Sequence, residues 1–204
     1  MAGINREQIV EAALELLDEQ GLTGVTTRKI AARLGVKSAS LYWHLRSRDE
    51  LLDLLADRIV ADAHWPESAQ PWRTVVEELM REYLRCLLAH RDAARVAAGR
   101  PPSGPYRLRG AETMLSALIA GGLGEQSAVD AALVLTTYVV GFALEHDAAA
   151  ARPNNAASAS LQSSLRDQYP TLGRLAALTG PADRFEQGLA LVLDGIESGL
   201  AGQD

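Results

Sequence analysis

Three features of the chain predict an all-α fold: abundant Ala and Leu with few β-branched runs, apolar residues recurring at three- and four-residue spacing, and capping residues where those runs begin and end. With 48% of residues hydrophobic and only 5% aromatic, helices are the natural way to bury the apolar surface. A length of 204 residues suits one substantial core with a small domain attached, here a helix-turn-helix at the N-terminal end. No strand pattern and no repeat of fixed period stands out.

Asn5 and Gln8 make a capping-box pattern ahead of a first helix, in which Ile9, Ala12, Ala13, Leu16 and Leu17 share a face until Gly21. Thr26 or Thr27 caps a short second helix with Ile30, Ala31 and Leu34 inward, and Gly35 supplies the left-handed residue that ends it. A third helix follows after a turn of about four residues. Ser47 to Glu50 reads as another capping box, opening a long fourth helix (Leu51, Leu52, Leu54, Leu55, Ile59) that runs to Trp65 and Pro66. Pro71 begins a fifth helix with Val75, Leu79, Tyr83 and Leu87 on one face, and a short Ala-rich helix is then broken by Gly99 and Pro101.

From about Tyr106 to Ile119 a further helix ends at Gly121 and Gly122. Ser127 to Asp130 caps the next, which is apolar on nearly every side from Leu133 to Leu144. It reads as too short to cross a bilayer and so as covered by neighbours or by another subunit. The Ala, Asn and Ser tract from 148 to 160 reads as a mobile loop. After Pro181 a final helix offers Phe185, Leu189, Val192, Leu193 and Ile196, with Gly188, Gly195 and Gly199 permitting close packing.

Formal net charge is −6, but unevenly spread: residues 1 to 48 carry seven bases against five acids, the remainder thirteen against twenty-one. The 22 residues from Thr27 to Arg48 hold six bases (Arg28, Lys29, Arg33, Lys37, Arg46, Arg48) and no Asp or Glu. Such a stretch in an acidic chain marks a surface for a polyanion, and double-stranded DNA is the first candidate. The opening residues lack the clean apolar run of a signal peptide, so a cytoplasmic protein without a membrane span is expected. Cys86 is the single cysteine and reads as a buried thiol. No HExxH, CxxC, GxSxG or Gly-rich phosphate loop occurs, and Glu145 and His146, being adjacent, point about 100° apart on a helix. An enzyme is therefore not expected.

On a helical wheel Leu41 and Leu45 face inward, while Ala39 and Trp43 face outward, flanked by Ser40 and Tyr42. An outward Trp and Tyr on a short helix call for a partner. In a major groove Ala39 allows close approach, Ser40 can bond a base edge or a phosphate, and the Trp43 ring can lie against a thymine methyl. Tyr42 and His44 are placed for phosphate oxygens. Thr27 and Arg28, at the positive end of the second helix, suit a phosphate and, for Arg28, a guanine. Lys37, with Ser38 beside it, is a second base-reading candidate, and Arg48 suits the DNA backbone.

The run from Thr26 to Val36, followed by Ser40 to Arg48 and then Leu51 and Leu52, resembles the DNA-binding domain of the TetR family of bacterial repressors, and Tyr42-Trp43-His44 resembles its tetracycline-repressor subclass. The likeness is dense over residues 5 to 60 and sparse beyond, where Trp72, Arg91, Asp92, Val96, Gly99, Arg100, Pro101, Leu144 and Glu145 echo the subclass. It implies a helix-turn-helix domain over 1–48, a connecting helix over 48–65, and a ligand-binding and dimerisation domain over 66–204. It also implies a homodimer held by a four-helix bundle from helices near 127–147 and 182–200.

The resemblance further implies an effector site including His64 at the end of the fourth helix, Tyr83, Arg100, Pro101 and Glu145. A metal-binding histidine of the subclass falls at Ala97, which cannot coordinate a metal, and Leu79 replaces a polar drug contact. The expected effector is thus an aromatic or lipophilic small molecule with no metal and no cofactor. A constitutive, architectural DNA-binding protein without effector is the alternative that the sequence leaves open.

Overall fold

The structure, a computed structural model, describes residues 4–67, 70–151, 169–171 and 184–201. Its helices are α1 (Arg6–Gln20), α2 (Thr27–Arg33), α3 (Ser38–Leu41), α4 (Arg48–Ile59), α5 (Trp72–Leu88), α6 (Ala93–Ala97), α7 (Pro105–Ala120), α8 (Glu125–Ala150) and α9 (Arg184–Ala201). A 3-10 turn, Leu22–Gly24, joins α1 to α2, and there is no strand among the described residues.

Helices α1 to α3 form a head on α4. The capping box of Asn5 and Gln8 is present at α1, and Thr26 caps α2 by accepting a hydrogen bond from the Lys29 N–H at 3.3 Å. Ile9, Leu17, Ile30, Leu41, Leu51 and Leu55 are almost completely buried and weld the head to α4. Ser47 accepts from the Glu50 N–H at 3.1 Å, but the reciprocal half of the expected capping box is missing. The Glu50 carboxylate instead takes the Arg46 N–H at 2.6 Å and the Arg6 guanidinium at 2.5 Å, because a cation from α1 offers more than a lone backbone donor.

The fourth helix ends earlier than expected, at Ile59 rather than near Trp65. Tertiary partners satisfy the chain beyond it: the His64 N–H donates to Glu82 of α5 at 2.8 Å, and the Trp65 indole donates to the Tyr106 carbonyl at 3.2 Å. Three carboxylates at four-residue spacing on α4 then face the body. Asp49 and Asp53 hold the Arg100 guanidinium at 3.1 and 2.7 Å, and the nearly buried Asp57 accepts the Arg107 N–H at 2.8 Å. Asp57 thereby caps α7, whose own cap residue, Gly104, has no side chain and sits where any Cβ would strike that carboxylate.

A second junction joins the far end of α1 to the turn before α6. Asp18 accepts from the His90 imidazole at 3.0 Å and from the Arg91 N–H at 3.3 Å, while Asp92 accepts from the Leu22 N–H at 2.8 Å. Asp92 is the one non-glycine at positive φ among the described residues (57°), and Gly21, also at positive φ (72°), leaves the space into which its carboxylate fits.

In the body α5 packs on α7 and α8, and α9 on α8. Val75, Leu79, Tyr83 and Leu87 are buried on one face of α5, as the spacing predicts. Helix α8 starts at Glu125 behind Gly124, not at a Ser127 cap, since Leu123 and Ala128 are both drawn into the core. It has 26 residues, with a mean hydropathy of 1.7 in its most apolar stretch. By length and composition alone it could span a bilayer, which corrects the expectation that it is too short. One stripe, Ala128, Ala131, Leu135, Val139 and Ala143, is buried; a second, with Val129, Leu133 and Val134, is more than half exposed. The helix reaches Ala150, three residues into the expected loop, and residues 152–160 of that tract lie outside the described ones. Gly188 of α9 admits the Tyr138 ring, whereas a Cβ at Gly195 or Gly199 would meet no neighbouring element within 4 Å among the described residues.

Candidate nucleic-acid interface and effector region

Gly35, at φ 67°, turns the chain out of α2, and the Val36 N–H returns to the Ala31 carbonyl at 3.0 Å. After the four residues Leu34 to Lys37, α3 makes a single turn and regular helix stops at Leu41, so Trp43 and His44 lie in the turn that follows rather than on a longer helix. The Leu45 N–H still reaches the Leu41 carbonyl at 3.0 Å, which keeps the expected facing: Leu41 and Leu45 are buried, Ala39 is exposed, Tyr42 is 68% exposed and Trp43 90%.

The six bases of this stretch divide into two groups. Arg33 pairs with Glu15 at 3.0 Å and Glu19 at 2.5 Å, and Lys29 donates to Gln20, so both brace α2 against α1. The side chains of Arg28, Lys37, Arg46 and Arg48 meet no partner among the described residues. A cleft of about 240 Å³ gathers Thr26 and Thr27 from the start of α2, Tyr42 from behind α3, and Ser47 and Arg48 from the start of α4 over a floor of Leu41, Leu45 and Leu51. Two helix N-termini therefore open on it, which adds a positive field to that of Arg48. Ser38 and Ser40 are half-buried on α3, and His44 is half-buried, its carbonyl clamped by the Arg6 guanidinium at 3.0 and 3.1 Å. Arg6 thus fixes the turn that presents Trp43. Sequence reasoning missed it, because its partners are a carbonyl and a carboxylate from distant segments.

In the body, Tyr83 is 9% exposed on α5, and burial pushes its phenol above the usual range, so it stays protonated as a donor. Its hydroxyl lies beside the Arg107 guanidinium, which donates to the Arg100 carbonyl at 2.7 Å and to the Pro101 carbonyl at 3.1 Å. Three sequence-predicted effector residues, Tyr83, Arg100 and Pro101, therefore converge on Arg107, which the sequence did not mark. Two do not join them. His64 lies beyond the end of α4 with its side chain 95% exposed, 3.7 Å from Glu82, and Glu145 is exposed on α8. Ala97 is buried on α6, and among the described residues no group of three His, Cys, Asp or Glu could hold a metal ion. The residues present do not fit a metal there. Cys86 is buried and its thiol is pushed up to about 11.

Residues 9–55 match the family described as bacterial regulatory proteins, tetR family, and residues 65–200 match the tetracyclin repressor-like C-terminal domain. The chain belongs to the TetR family. Along 203 residues it is 36% identical to the tetracycline repressor protein class A from transposon 1721 of Escherichia coli, covering 96% of this chain and 92% of that one. Apo ActR from Streptomyces coelicolor has the same fold, with a TM-score of 0.88 at 34% identity over the whole of both chains. ActR in complex with actinorhodin gives 0.87 at 34% identity, covering 98% of this chain and 99% of that one. As a TetR-family member the protein is a transcriptional regulator, and the family's members are regulators rather than enzymes.

Proposed function

We propose that this protein is a cytoplasmic, ligand-responsive repressor that binds a pseudo-palindromic DNA operator as a homodimer and is released by an aromatic or lipophilic effector. The observation that carries the reading is the head face itself: four bases without a partner among the described residues, around a Trp that is 90% exposed, in an otherwise acidic chain. Thr27, Tyr42, His44 and Arg48 grip phosphates; Arg28, Lys37 and Ser40 read base edges; Ala39 and Trp43 make apolar contact in the groove, with Ser38 at the start of α3. One short reading element touches too few bases for useful specificity, so two copies are needed.

A second copy also suits the exposed apolar stripe of α8 and Leu191 of α9, which is 73% exposed. Effector control runs through α4, which begins at the DNA face and carries Asp49 and Asp53 against Arg100 of the loop before α7, and Asp57 against Arg107 in the first turn of α7. Relatives whose names include tetracycline, and a ligand-bound neighbour, support the effector part of the reading. With Ala97 where a metal ligand would stand, release needs no magnesium. A duplex selected from random sequence tests the proposal. Light scattering of the complex is expected to give two chains per duplex, and release by aromatic ligands is expected to persist in EDTA. One chain per duplex would sink the homodimer, and release abolished by EDTA and restored by magnesium would sink the metal-free effector.

A further inference from the structure

Charge is scarce inside the body. Among the described residues Asp57 is the one buried charged residue, and the buried faces of α5, α7 and α8 are Val, Leu, Met, Ala and Gly110 apart from Tyr83 and Cys86. Arg107 is half-buried against this background. Its neighbour Arg100 is neutralised by two carboxylates, at 2.7 and 3.1 Å. The Arg107 guanidinium meets no carboxylate among the described residues: its bonds go to the Arg100 and Pro101 carbonyls, while Asp57 accepts the Arg107 main-chain N–H. Carbonyl dipoles orient a guanidinium without cancelling its charge, and a partly desolvated cation favours any anion that can reach it.

We propose that Arg107 recognises an acidic group on the effector, with the Tyr83 hydroxyl as a second donor, so that the ligand class is an aromatic acid ionised at neutral pH. This rests on the reading of the protein as a ligand-responsive repressor and specifies the chemistry of that site. The planar guanidinium of Arg107, oriented by two carbonyls that use two of its five N–H donors, keeps donors for a carboxylate in its plane. The apolar flanks of α5 and α7 suit the ring system that bears it.

The test uses full-length protein and matched probes: naphthoate and anthracene-carboxylate against their uncharged carboxamides, followed by calorimetric titration and by release of labelled operator. The wild type is expected to bind the acids about tenfold or more tighter than the amides. Arg107→Met should abolish that preference, Arg107→Lys should keep part of it, and Tyr83→Phe should weaken the acids alone by a few-fold. Ligand-free operator affinity and melting temperature, measured for each variant, separate lost recognition from lost folding. If acid and amide bind and release equally, or if Arg107→Met retains the preference while folded, Arg107 is not the reader and the ligand response still stands. If no probe of either kind binds or releases operator, the ligand-responsive reading fails and this inference falls with it.

Discussion

In the body, arginine after arginine ends on a carboxylate: Arg73 on Glu77, Asp194 and Glu197, Arg81 on Glu77 and Glu186, Arg85 on Glu82, Arg100 on Asp49 and Asp53. In the head, Arg28, Lys37, Arg46 and Arg48 end in solvent around an exposed Trp43. The same residue type serves two purposes. A paired arginine fixes how two helices sit, and its field is spent locally; an unpaired one stabilises nothing in the fold and keeps its field for a polyanion.

The comparison can be broken most directly by removing all four free cations. Replacing Arg28, Lys37, Arg46 and Arg48 by Ala is expected to leave the melting temperature nearly unchanged. Operator affinity should drop by about a hundredfold or more near physiological salt, with the log–log salt slope flatter by roughly 3 to 4 units. Fluorescence anisotropy across a salt series measures both, and an unchanged slope would remove these residues from the interface. Arg100→Ala should do the reverse. It strands Asp53 and frees the loop before α7 from α4, costing about 1 to 2 kcal/mol in denaturant unfolding while the salt slope stays put.

Acid sharpens the contrast further. The Arg85 guanidinium and then the His64 N–H hold the Glu82 carboxyl at about 2, against an ordinary 4.5. A depressed carboxylate contributes stability above its unfolded pKa and loses it as pH falls through the folded value, so this contribution fades between about 4.5 and about 2. Glu82→Gln is expected to cost about 1 kcal/mol at neutral pH and nothing measurable near the lower limit, as read by urea titration at several pH values. Smallest of all is Arg33→Ala. Its pairs with Glu15 and Glu19 lie at the surface, where solvent screens them, so the unfolding midpoint should barely change and the salt slope should move by far less than one unit. A full-unit change of slope would place Arg33 with the free cations.

What could be read from the sequence was whatever depends on near neighbours. Asn5 with Gln8, Thr26, Gly21 and Gly35 mark their helix ends through contacts a few residues long, and the 3-4 spacing of Val75, Leu79, Tyr83 and Leu87 assigns the buried face of α5. Features set by distant partners were hidden. The periodic pattern runs past Ile59, yet α4 stops where Glu82 and Tyr106 receive the chain. Glu50 looks like the second half of a capping box until Arg6 claims it. Arg107 carried no signal, since its side chain is placed by backbone carbonyls and a phenol, which no motif records. In the head, by contrast, the outward facing of Trp43 follows from the inward facing of Leu41 and Leu45, and so it was legible even though α3 is shorter than the wheel assumed.

The junction at Gly21 and Asp92 bears on modularity. Its parts are divided between sequence segments: Asp18, Gly21 and the Leu22 N–H travel with the first helix, while His90, Arg91 and the left-handed Asp92 travel with the fifth. A head grafted from a relative therefore docks on this body only if it brings a residue without a Cβ at position 21, since Asp92 stands 2.5 Å from where that atom would lie. Chimeric regulators built by cutting between α3 and α4 inherit half a lock from each parent, and the transplanted head seats as the native one does only where the halves match.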